Sequence, residues 1–186
     1  MMKELWELCR KLSNPERLEL LRKTYAMKKI GMGVNEAVEN TGLGQSAVSQ
    51  YFKQLLELGI VRRERGGRLV GYYADWSNAP SGIAEIAKML FARFSNGVRD
   101  VGFLDDFAVF GNAFRLRAIR YIAANGPQSK LQLAEKYDKQ IRFITRDLEP
   151  AVKGGVLDLD SEDQLGVYTY IPSRDPIARR VVEVNE

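Results

Sequence analysis

The stretch Gln45-Ser46-Ala47-Val48-Ser49-Gln50-Tyr51-Phe52-Lys53-Gln54-Leu55-Leu56-Glu57-Leu58-Gly59-Ile60-Val61-Arg62-Arg63-Glu64-Arg65-Gly66-Gly67-Arg68 decides how this chain is read. Val48, Phe52, Leu55 and Leu56 recur at helical spacing, so residues 45–58 form an amphipathic helix with one buried face. Gly59 ends it, because glycine readily takes the left-handed conformation that follows a helix. Residues 60–65 and 68–74 then read as strands joined by Gly66-Gly67, a hairpin whose turn needs positive φ.

Working outward, Thr41-Gly42-Leu43-Gly44 is a tight turn, and residues 34–40 make a short helix carrying Ala37 and Val38. Gly31-Met32-Gly33 is a further turn, too short for a nucleotide-binding loop. The first 25 residues read as two helices broken at Ser13-Asn14-Pro15-Glu16. Ser13 and Glu16 have capping-box spacing, and Pro15 suits a first helical turn. Downstream, residues 81–94 form a helix with Ile83, Ile86, Ala87, Leu90 and Phe91 in one apolar stripe. Helix, short helix, glycine turn, long helix and two-stranded hairpin, in that order, make a winged helix-turn-helix. The stripe of residues 81–94 lies outside that unit and requires a partner surface, either the same helix of a second chain or the other half of this one.

The pattern breaks between Ser95 and Asp106 and then repeats. Asn14, Arg17, Leu18 and Arg22 align with Asn112, Arg115, Leu116 and Arg120. Val48-Ser49 falls on Ile144-Thr145, Phe52 on Leu148, Leu55-Leu56 on Ala151-Val152, and Gly59-Ile60 on Gly155-Val156. Residues 157–159 and 167–171 supply a second hairpin. The expected fold is mainly α with small β-hairpins, an α+β class built of tandem winged helix-turn-helix domains. The first spans residues 1–96, with a dimerisation helix, and the second, divergent one spans residues 97–186.

Composition removes whole classes of chemistry. The 186 residues contain no histidine and one cysteine, Cys9, so histidine-based triads, Cys-His pairs and His-containing zinc sites are excluded. Nothing here implies a catalytic residue, a metal ligand set or a cofactor. Asp105-Asp106 reads as a helix N-cap rather than a catalytic pair. The lone thiol fits a reducing compartment, the acids Glu4 and Glu7 stand where an export signal wants an apolar run, and no stretch is long and apolar enough to span a membrane. The expectation is a cytoplasmic protein that is not an enzyme.

Net charge is +4, unevenly divided: residues 1–98 carry +5 and residues 99–186 carry −1. A basic half beside a near-neutral half points to one module that meets a polyanion. Opposite the apolar face of the long helix lie Gln45, Ser46, Ser49, Gln50 and Lys53; the amides and hydroxyls can donate to and accept from base edges, and the ammonium can donate. Arg62, Arg63, Arg65 and Arg68 surround the hairpin turn with Glu64 alone opposing them, which suits phosphate oxygens or the minor groove. The plainer readings are a solvated polar helix face and an edge strand guarded by charge. Tyr51, Lys28 and Lys29 are secondary candidates for backbone contacts. The second unit keeps Lys139, Arg142, Thr145 and Arg146 on its long helix, but its hairpin carries Asp158, Asp160, Glu162 and Asp163. Phosphates repel such a hairpin, so the second unit reads as a dimerisation, partner-binding or pseudo-symmetric support module, with weak auxiliary DNA contact as the alternative. The hairpin also lacks the spacing of a calcium loop.

Residues 5–21, with Leu5-Trp6-Glu7-Leu8-Cys9-Arg10-Lys11-Leu12-Ser13-Asn14-Pro15-Glu16-Arg17-Leu18, resemble the opening of the ArsR-like repressors. Residues 45–55 resemble their recognition helix, and Leu58-Gly59-Ile60-Val61 its exit into the wing. The likeness covers residues 3–94 and implies a double-stranded DNA-binding transcription regulator, in the role of a repressor. It carries no metal sensing here, because the Cys and His clusters of that family's metal sensors are missing. One module offers little contact area, so two copies are expected, as a homodimer through the N-terminal helix and residues 81–94 or as an internal pseudo-dimer. The alternative is a tandem winged-helix adaptor in a chromosome or transcription assembly.

Overall fold

Helices α1 (Met2–Leu12) and α2 (Pro15–Ala26) meet at Asn14, whose side-chain oxygen accepts from the Arg17 backbone N–H at 2.8 Å. The cap is therefore Asn14 and not Ser13, because Pro15 fixes the first helical position and leaves the residue before it as the N-cap. The Ser13 hydroxyl turns back instead to donate to the Arg10 carbonyl. The computed structural model describes residues 2–67, 69–97, 102–161 and 166–184.

Helix α3 (Val34–Thr41) ends on Gly42 at φ 72°, and α4 (Gln45–Glu57) follows after Gly44. Gly59, at φ 73°, closes α4 so tightly against the chain that a Cβ there would lie 2.9 Å from the Ala79 Cα. Strands β1 (Val61–Gly66) and β2 (Leu69–Ala74) pair antiparallel from Val61↔Ala74 to Gly66↔Leu69. The hairpin is thus as expected, with its turn one residue later and Gly67 at φ 61°. Met32 adds a bridge to Tyr72, a rudimentary third strand. Helix α5 (Ser81–Ser95) completes the first half and buries Ile83, Ile86, Ala87, Leu90 and Phe91, the stripe read from the sequence.

The second half repeats this order: α6 (Phe103–Phe110), α7 (Ala113–Asn125), β3 (Gln128–Ser129), α8 (Lys130–Tyr137), α9 (Ile141–Lys153), β4 (Leu157–Asp160), β5 (Val167–Tyr170) and α10 (Pro176–Glu183). Its sheet has the order β3-β5-β4, with β3 where the first half has the Met32 bridge. The correspondence reaches individual hydrogen bonds. Asn112 caps α7 by accepting from the Arg115 N–H at 2.9 Å, as Asn14 caps α2. Arg115 Nη1 donates to the Val109 carbonyl as Arg17 Nη1 donates to that of Lys11. Asp138 ends α8 at φ 50°, in the place of Gly42, and Gly155 follows α9 at φ 71°, in the place of Gly59. Asp105 and Asp106 lie inside the first turn of α6 rather than at its N-cap, which is Gly102.

The two halves share one apolar core. Helix α1 packs on α6 and α7, and α5 packs on α10. Leu5, Leu8, Cys9 and Leu12 of α1 are buried together with Phe103, Phe107 and Phe110 of α6 and Ile177 and Val181 of α10. Two ion pairs tie the same faces, Arg93–Asp175 at 2.8 Å and Arg180–Glu85 at 2.7 Å. The helices expected to seek a second chain, α1 and α5, are therefore covered within this one. Each meets its own counterpart in the repeat, α1 with α6 and α5 with α10, which is the pattern of an isologous contact.

Candidate nucleic-acid interface

Helix α4 is held by Val48, Phe52 and Leu55, all fully buried. That anchoring fixes the opposite face, where Gln45, Ser46, Ser49, Gln50 and Lys53 are all exposed. These positions recur one turn apart along a single stripe. Gly44 provides no side-chain cap, and the first turn holds no acidic residue. The N-terminal N–H groups and the positive end of the helix dipole are consequently open to an anion.

The hairpin is attached to this helix by an aromatic stack, the Phe52 and Tyr72 rings lying 3.9 Å apart and within 4° of parallel. Tyr72 is cross-strand partner to Arg63, and Val70 to Arg65. Directly opposed residues share a sheet face, so Arg63 and Arg65 stand on the side of the hairpin that looks toward α4. Both are exposed. Arg65 Nε donates to the Gly67 carbonyl at 3.3 Å, which steadies the turn, and neither arginine has an ion pair among the described residues.

Arg62 differs. It faces the other side with Tyr73, its guanidinium 4.5 Å from the ring centroid, and pairs with Glu64 and, at 3.0 Å, with Asp75. The Ser77 backbone N–H and the Arg62 charge help to hold the Asp75 carboxyl below its ordinary range, against the effect of burial. Arg62 is thus committed to the base of the hairpin. Arg68 lies outside the described residues.

The secondary candidates divide in the same way. Tyr51 donates its hydroxyl to Glu16 at 2.8 Å and stacks under Arg17, so it braces α4 against α2. The hydrogen bond to Glu16, with burial, pushes the Tyr51 hydroxyl above its usual range. Lys28 lies over the Tyr25 ring, and Lys29 is exposed.

In the second half, Lys139 and Arg146 both reach Asp147, at 3.2 and 3.1 Å, and Thr145 donates to the Ile141 carbonyl. Burial would raise the Asp147 carboxyl, but hydrogen bonds from Arg146 and Lys139 outweigh it and hold it low. Asp158 and Asp160 are exposed on β4. Glu162 and Asp163 lie outside the described residues. Among the described residues there is no group of three or more His, Cys, Asp or Glu able to hold a metal ion, and no helix long and apolar enough to cross a membrane.

A helix-turn-helix whose long helix turns an exposed polar face outward beside a basic hairpin defines a winged-helix DNA-binding transcription regulator. Residues 14–63 match the family described as bacterial regulatory protein, arsR family, over α2, α3, α4 and the start of β1. That family consists of regulators rather than enzymes. No curated protein and no solved structure matches the chain.

Proposed function

We propose that this chain is a sequence-specific regulator, a repressor, that binds double-stranded DNA in the cytoplasm through its first winged helix. Gln45, Ser46, Ser49, Gln50 and Lys53 enter the major groove, and Arg63 and Arg65 meet the flanking backbone, with Arg68 beside them in sequence. The observation that carries this reading is the shared orientation of the two surfaces: Arg63 and Arg65 of β1, without an ion pair among the described residues, and the amide and hydroxyl stripe of α4 flank one aromatic stack. Arg62 contributes by holding the hairpin base. Residues 1–96 and 97–186 act as two joined modules, and the covered faces of α1 and α5 favour an internal pseudo-dimer over a homodimer through those helices.

Fluorescence anisotropy on mixed-sequence duplex DNA across a salt series tests the reading. Binding that falls steeply with salt is the expected result. Absence of binding at low salt would replace it with the adaptor role.

A further inference from the structure

At the positions where α4 presents Gln45, Ser46, Ser49, Gln50 and Lys53, the repeat places Ile141, Arg142, Thr145, Arg146 and Glu149 on α9. Ile144, Leu148 and Ala151 are buried as Val48, Phe52 and Leu55 are, so α9 turns the corresponding face outward. Arg142 and Arg146 lie on either side of Phe143 in sequence, with guanidinium carbons 4.8 and 5.0 Å from its ring centroid. The ring limits how far the two forks wander. Arg142 is exposed, and the Arg146 side chain keeps 68% of its exposure although it also reaches Asp147. Like α4, α9 has no side-chain cap and no acid in its first turn.

We propose that α9 is a second DNA-reading helix with a different code, so that one chain reads a non-palindromic site. This rests on the DNA-binding reading of the first module. An isologous pairing carries two equivalent helices to equivalent places on a duplex, and here α1–α6 and α5–α10 form that pairing inside one chain. The two halves of the site are then read by unlike chemistry. Amides and hydroxyls on α4 favour adenine and tolerate variation. The two guanidiniums on α9 favour guanine O6 and N7, and Ile141, 39% exposed, offers an apolar surface to a thymine methyl. The hairpins diverge in the same sense. Asp158 and Asp160 keep β4 away from the flanking phosphates, so the α9 half makes helix contacts alone and protects less flanking DNA than the α4 half.

The test is selection of bound duplexes from a random pool by the intact chain, with the stoichiometry of the selected complex measured by light scattering. Two unlike half-sites centred roughly 10 bp apart, bound by one chain, are expected. Arg142→Ala with Arg146→Ala should erase preference in one half only, with a loss of roughly five- to a hundredfold per guanine contact. Gln45→Ala with Gln50→Ala should erase it in the other half. Arg142→Ser with Arg146→Gln should draw the second half toward an inverted copy of the first. A motif confined to one half and unchanged in the double-arginine variant, while Gln50→Ala still alters it, would overturn the proposal and leave the first module's role standing. A palindrome bound by two chains would also overturn it. No selection by any variant or the parent would remove both readings together.

Discussion

Phe52 of α4 and Tyr72 of β2 stack face to face, and Tyr72 also exchanges backbone hydrogen bonds with Met32. Tyr72 thereby fastens α4, the hairpin and the segment before α3 into one body. Because Phe52 is fully buried, Phe52→Ala should cost about 3–5 kcal/mol of stability. Tyr72→Phe keeps the ring and should leave stability near that of the parent. Urea melts of the two variants check this, and an unstable Tyr72→Phe would mean that the hydroxyl, rather than the stack, holds the hairpin.

The two sides of β1 should separate experimentally. Replacing Arg63 and Arg65 by Ala should weaken DNA binding for all sequences and lower the slope of log K against log salt by about 2. Arg62→Ala should leave that slope alone. Its pair with Asp75 is partly exposed, so stability should fall by no more than about 1 kcal/mol. A slope that drops in Arg62→Ala and not in the double variant would reverse the assignment of the two faces.

Cys9 reports on the joint between the halves. It is fully buried in α1, and burial pushes its thiol well above the ordinary range. Thiol reagents should leave the native protein unmodified for as long as the halves stay joined. Gly111, at the end of α6, approaches α1 so closely that an added Cβ would lie 3.0 Å from the Arg10 Cα. Gly111→Val should therefore speed labelling of Cys9 more than it lowers the global melting midpoint. Equal rates in parent and variant would show that Cys9 opens by another route.

Asp106 should give the stability of the fold a pH signature. Burial raises its carboxyl, Asp175 and Asp105 add to the rise, and the Ser173 hydroxyl, donating at 2.6 Å, opposes it. A carboxyl raised in the folded state binds its proton more tightly folded than unfolded. Its ionisation thus costs stability as pH climbs from the ordinary carboxylate range through the raised value, and the cost is constant above it. Asp106→Asn keeps an acceptor for Ser173 and should gain stability relative to the parent at pH 7, with less advantage at pH 4. Urea midpoints at the two pH values decide, and a constant difference between the proteins would exclude a raised Asp106.

Light scattering of the free protein should give one chain mass of 21.1 kDa, because the faces of α1 and α5 are already covered. A particle of twice that mass would mean that another surface, such as the exposed Ile30 and Leu69 beside the hairpin, joins two chains.

The first unit was legible because its punctuation is local. Gly42 and Gly59 take the positive φ that ends a helix, and Val48, Phe52 and Leu55 at helical spacing are the residues that become buried. Where the reading slipped, two local signals competed. Ser13 and Asn14 both favour an N-cap, and Pro15 chose between them. The tie of Arg62 to Asp75 is not legible locally, because it depends on a strand register set by a turn one residue beyond the expected place. Helix α10 and the short strand β3 carry signals too brief to stand without their partners. The stripe on α5 announced a partner without saying which, since apolar burial has no direction and α10 satisfies it as well as a second chain would.

Joining the counterparts of α1 and α5 in one polypeptide changes how occupancy depends on abundance. A regulator that first assembles from two subunits loses its active form steeply on dilution, because the pairing equilibrium falls with concentration. When the pairing is intramolecular its effective concentration is fixed by the linkage. If light scattering gives the single-chain mass, target occupancy should rise with the first power of copy number, and a cell holding only a few of these chains should keep every one of them competent.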